Sequence, residues 1–170
     1  MLEQYRKEAA DRTFLGVPPL PLTAEQTHEL TALLTSGHGE QTTLLDMLAD
    51  RVEPGVSKAA AVKAAWLEQV AMGTIRVDRF PPETAIGLLA QMGGGYNVTA
   101  LIRLLQVDAL AGAAAEALKG LTKIYEAFDQ VVELAKEIPA ARSVLESWAA
   151  AEWFTRSPEL PEQIVCTVYK

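Results

Sequence analysis

The chain has 170 residues, 49% of them hydrophobic, and a formal net charge of −7. That length suits one domain able to bury most of its apolar surface, and the alanine-rich composition is that of a helical globular protein rather than a disordered one. Basic residues are scattered singly among acids, which argues against direct RNA or DNA contact.

The N-terminus MLEQYRKEAADR lacks the apolar centre of a signal peptide, and no run approaches the ~18 apolar residues of a membrane span. The expected location is cytoplasmic, with no membrane partner. Cys166 is the single cysteine, so the chain has neither a disulfide framework nor a cysteine-rich metal site. In a cytoplasmic chain the sequon at Asn97 to Thr99 carries no meaning.

Residues 2 to 15 predict a first helix, stopped by Gly16 and the extended run VPPLPL. Thr23 with Gln26 forms a capping-box signature, and Leu30, Leu33 and Leu34 share a face until Ser36-Gly37. Leu44, Leu45, Leu48 and Val52 make the next stripe, ended by Glu53-Pro54-Gly55. Ser57 caps a fourth helix through Val62, Trp66 and Val70, and Gly73 stops it. After a polar connector ending in Pro81-Pro82, Ala85, Leu88, Leu89 and Met92 form a stripe. Glycines 93 to 95 interrupt it, and Val98, Leu101, Ile102 and Leu105 follow with Asn97 as the expected N-cap.

Asp108 is the expected cap of an Ala-rich helix closed by Gly120. A strong stripe runs from Leu121 through Ile124, Tyr125, Phe128, Val131 and Val132 to Ala135, and Pro139 fits the first turn of a last helix. The expected fold is all-α: a compact, degenerate HEAT-like array of antiparallel hairpins, paired as 40 to 72, 82 to 106 and 108 to 137. Residues 1 to 160 form this domain. Past Pro158 and Pro161, EQIVCTVYK alternates like a strand. One strand cannot satisfy its own backbone groups, so 161 to 170 are expected to be a linker and the first strand of a further domain.

The stretch QMGGGYN at 91 to 97 has the glycines of a phosphate loop, but no Lys-Ser/Thr follows and no strand precedes it. The expected role is a sharp helix reversal: Gly93 closes one helix, Gly94 and Gly95 turn the chain, Tyr96 packs across and Asn97 starts the next. A smaller share of the expectation goes to a channel or interface lining by Gly94, Gly95, Tyr96 and Asn97. His28 and His38 have no ligand-spaced companions and are expected at the surface. Trp148, Trp153 and Phe154 suit core or interdomain packing at the end of the last helix, and Pro18 to Pro21 a rigid spacer. No nucleophile, base and oxyanion site assemble.

In chain order, MLEQYRKEAADR, PLPLTAEQ, LLDMLADRVEPGVSKAAAVKAAWL, AIGLLAQMGGGYNVTALI, SWAAAEWF and IVCTVYK resemble the N-terminal region of bacterial aconitase B. The most specific parts are the RVxPGV turn at Arg51 to Val56, the glycine-tyrosine-asparagine turn and the SWxxAEWF helix end; Gly93 departs from the family by standing where a polar residue is expected. The resemblance implies a non-catalytic HEAT-like domain ahead of a swivelling domain that starts near residue 163. The parent enzyme would isomerise citrate and isocitrate through cis-aconitate on a four-iron four-sulfur cluster. Three thiolates hold that cluster in the family, and no catalytic residue transfers to this chain. The implied partners are the swivelling and catalytic domains of the same chain, with self-association as a further implication. A stand-alone HEAT-like adaptor is the alternative.

Overall fold

The computed structural model describes residues 2–121, 124 and 127–150. Within them the chain forms α1 (Leu2–Phe14), α2 (Ala24–Ser36), α3 (Gln41–Asp50), α4 (Lys58–Ala71), α5 (Pro82–Gln91), α6 (Tyr96–Leu104), α7 (Asp108–Lys119), α8 (Ala127–Leu134) and α9 (Pro139–Ala149). The all-α expectation holds. The strand-like alternation of 161 to 170 lies outside the described residues, as do Tyr125, Trp153 and Cys166.

Local chemistry fixes several boundaries. The Thr23 hydroxyl accepts the Gln26 N–H while the Gln26 side chain accepts the Thr23 N–H, so both halves of the capping box are made. Gly37 ends α2 in the left-handed conformation, φ +76°, and the Ser57 hydroxyl caps α4 by accepting the Ala60 N–H. Asp108 differs from expectation: Val107 is the N-cap of α7, and the Asp108 side chain makes no cap bond. Its carboxylate can act there only through the dipole of the first turn.

Helix α4 occupies the middle because its buried positions, Ala59, Ala60, Ala64, Trp66, Leu67, Val70 and Ala71, cover a wide face of mostly small side chains. Small residues let several neighbours approach closely, and α4 packs on α2, α5 and α6. The expected pairing of α3 with α4 is therefore corrected. Helix α3 offers a narrower stripe of Leu44, Met47 and Leu48, and α2 covers it. The pairing of α7 with the segment up to 137 is corrected in the same way: α7 and α8 both pack on α9, where Ala141 and Val144 are buried. Phe128, expected in the core stripe, is 45% exposed.

Lys63 is a charged residue in this interior. Its residue is only 4% exposed, and Nζ donates to the Ala49 carbonyl in the last turn of α3, 3.0 Å away. Burial lowers its pKa below the ordinary lysine value, with the Asp50 carboxylate opposing the shift. A base whose folded pKa is depressed costs stability at neutral pH, and that cost fades as pH rises through the folded pKa toward about 10.5. Lys63→Met, which keeps the volume and removes the charge, is thus expected to gain stability at pH 7 and to lose its advantage toward pH 10. Chemical denaturation at both pH values checks this. Leu101→Ala, at a fully buried position, should cost about 2–5 kcal/mol in the same assay.

Candidate interface at the glycine turn

The three glycines reverse the chain between α5 and α6. All have positive φ, at +73° for Gly93, +121° for Gly94 and +94° for Gly95, a region costly for residues with a Cβ. Gly93 follows the end of α5 as expected, and a Cβ there would meet nothing within 4 Å. Gly95 is different. A Cβ at this position would lie 2.5 Å from the Gly55 carbonyl oxygen and 2.9 Å from its carbon. The glycine turn and the Pro54-Gly55 turn are therefore in backbone contact, across forty positions of sequence.

This contact was not legible in the sequence. Each turn announces itself through glycine and proline, but nothing in their spacing says that they meet. The available signal was indirect: the two turns are among the motifs most specific to the family resemblance. The junction is anchored further by the Leu22 N–H, which donates to the Arg51 carbonyl at 2.7 Å and ties the proline-rich connector to the same corner.

Asn97 has another role than the one expected. Gly95 is the N-cap of α6 and makes no side-chain cap bond, while Asn97 lies inside the first turn and is fully buried. Its Nδ2 donates to the Leu89 carbonyl at 2.7 Å, so it fastens the start of α6 to the last turn of α5. The α5 carbonyl would otherwise be served by the Met92 N–H alone. Asn97 Oδ1 has no partner among the described residues. Tyr96, expected to pack across the turn, is instead 47% exposed. Beside it Val56 is 76% exposed, with its Cγ1 3.0 Å from the Cβ position of Gly95. The two touching turns thus each carry a large exposed side chain, Val56 on one and Tyr96 on the other.

Trp148 is half-buried in a separate setting. Its Nε1–H donates to the Leu118 carbonyl at 3.2 Å, and its ring stacks on Phe128 with centroids 6.0 Å apart. No hydrogen bond or ring contact among the described residues joins it to the glycine turn. A cleft of about 690 Å³, lined in part by Glu40, Asp46, Asp78, Arg79 and Thr84, includes neither the turn nor Trp148. His28 lines a different groove, with Trp66 and Ile75. Among the described residues no group of three or more His, Cys, Asp or Glu could hold a metal ion, and the chain's lone thiol cannot supply the three thiolates of an iron–sulfur cluster. The residues present do not fit that group.

The two close glycines make distinct demands. Gly93→Ala should lower stability by about 1–2 kcal/mol, the cost of positive φ alone. Gly95→Ala should cost considerably more, because backbone rather than a side chain must move away from its Cβ. Thermal melting of the pair checks the difference. Asn97→Asp would face a carbonyl oxygen with a buried carboxylate, raising that group's pKa. It should lose about 3 kcal/mol or more at pH 7 and recover part of it as pH falls toward 4.

Comparison with known proteins places these features in a family. The family model described as the aconitate B N-terminal domain matches residues 4–154. The chain is 43% identical to aconitate hydratase B of Synechocystis, 45% to that of Pseudomonas aeruginosa and 46% to that of Salmonella typhimurium. Each match covers 100% of this chain but only 20% of the relative, so the chain spans about a fifth of the length of the curated proteins it matches. The all-helical body with its glycine reversal therefore belongs to the aconitase B N-terminal domain family.

Proposed function

We propose that this domain is a non-catalytic docking and channel-forming module of an aconitase B, whose reaction, the isomerisation of citrate and isocitrate through cis-aconitate, is carried by other domains. The observation that carries this reading is the exposed pair Val56 and Tyr96 on two turns locked together at Gly55 and Gly95. Apolar side chains on rigid turns lose little entropy on contact and suit a permanent interdomain seam. Support also comes from the match to one fifth of each relative's length and from the single cysteine, which leaves cluster binding to another part of the parent enzyme.

In this proposal the family's four-iron four-sulfur cluster would be held by thiolates of other domains, and residues of this domain touch neither cluster nor substrate. Their contribution is to hold a wall of the path by which substrate arrives. A cytoplasmic setting fits the metabolic role. The same turn surface is available for self-association.

The test is complementation. The 170-residue chain alone should turn over none of the three tricarboxylates. Added to the Pseudomonas aeruginosa enzyme lacking its first fifth, it should bind and change kcat/KM, and Val56→Ser with Tyr96→Ser should abolish binding while leaving the melting temperature within a few degrees. Turnover by the chain alone, or binding indifferent to both substitutions, would refute the proposal.

A further inference from the structure

The connector 73 to 82 between α4 and α5 holds a feature that the docking reading does not use. The Phe80 N–H closes a turn onto the Val77 carbonyl at 3.2 Å, with Arg79 in its third position at φ +56°. Arg79 is the one side-chain-bearing residue with positive φ among the described residues, in a place where glycine is the unstrained choice. The turn is rigid: Gln41 Nε2 donates to the Asp78 carbonyl at 3.1 Å, and Phe80 is buried with its ring 5.9 Å from that of Trp66. The result is an arginine side chain that is 92% exposed.

Beside it lies a cleft of about 470 Å³ whose apolar lining comes from Val70, Ile75, Val77, Phe80 and Pro82. Arg76 and Arg79 line the same cleft. Arg76 has no hydrogen-bond or ion-pair partner among the described residues, and Arg79 has only a 3.8 Å contact of its Nε with the exposed Asp78 carboxylate. On a chain of net charge −7, an unpaired Arg76 and an Arg79 held only loosely by Asp78 make a locally basic edge beside an apolar slot. Planar guanidinium forks pair carboxylates bidentately.

We propose that this cleft docks an acidic polypeptide segment carrying an apolar anchor, with the anchor seated on the half-buried Ile75 and Pro82 and flanking carboxylates paired to Arg76 and Arg79. The Asp78 carboxylate is the internal competitor for Arg79. The apolar floor favours a peptide over a small tricarboxylate, which would leave that floor uncovered.

The probe is a short fluorescein-labelled peptide with a Phe-Leu pair flanked by glutamates, titrated with the 170-residue chain and read by anisotropy. Saturable binding is expected. It should weaken roughly tenfold or more with Arg76→Glu and Arg79→Glu together, and tighten about twofold with Asp78→Asn. Replacing the probe's glutamates by lysines, or its Phe-Leu pair by alanines, should each abolish binding. Arg79→Gly separates the roles: it should raise Tm by about 2 °C by relieving the turn and weaken the peptide. No saturable binding, binding unaffected by the charge reversals, or competition for Arg76 and Arg79 by citrate without any peptide binding would overturn the proposal. Circular dichroism of each variant separates loss of binding from loss of fold.

Discussion

The approach of Gly95 to the Gly55 carbonyl is the constraint on which the site's geometry depends. A methyl group at Gly95 would sit 2.5 Å from that oxygen, so the two turns can meet only where no side chain intervenes. Closing that gap brings the end of the α3 to α4 connection against the α5 to α6 reversal, on the flank of α4 where α5 and α6 pack. Asn97 then completes the reversal from inside by donating to the Leu89 carbonyl. What remains outside, Val56 and Tyr96, is held in place by backbone rather than by packing of its own.

The proposed docking role would make use of this arrangement. A face that serves as a wall has to hold its shape. Positive-φ glycines and a buried amide supply that stiffness from the backbone side. The connector at 73 to 82 follows the same logic with charge: a turn tied to α3 by Gln41 holds Arg79 at positive φ with its side chain exposed.

Much of the helical framework was legible because its signals are local. The capping box at Thr23 and Gln26, the cap at Ser57 and the stops at Gly37 and Gly73 each depend on a few adjacent residues, and all appear where the sequence puts them. Asn97 was misassigned because an asparagine after glycines satisfies the N-cap pattern as well as it satisfies an inward amide; only the position of Leu89 decides between them. The partners of α3 and α8 were misjudged because each has a chain neighbour on either side and the stripes do not say which one it covers; α3 lies on α2 and α8 on α9. The Gly55 to Gly95 contact was invisible for the same reason, being set by how three helices seat on α4. The family resemblance marked both turns as specific without saying that they touch.

Hydrogen–deuterium exchange of the 170-residue chain and its Gly95→Ala variant tests the junction most directly. If the two turns form one unit, the substitution should speed exchange at residues 52 to 57 as well as at 95 to 98, while α9, which packs on α7 and α8 rather than on the helices flanking the junction, keeps its protection. Faster exchange confined to 95 to 98, with 52 to 57 unchanged, would contradict the account.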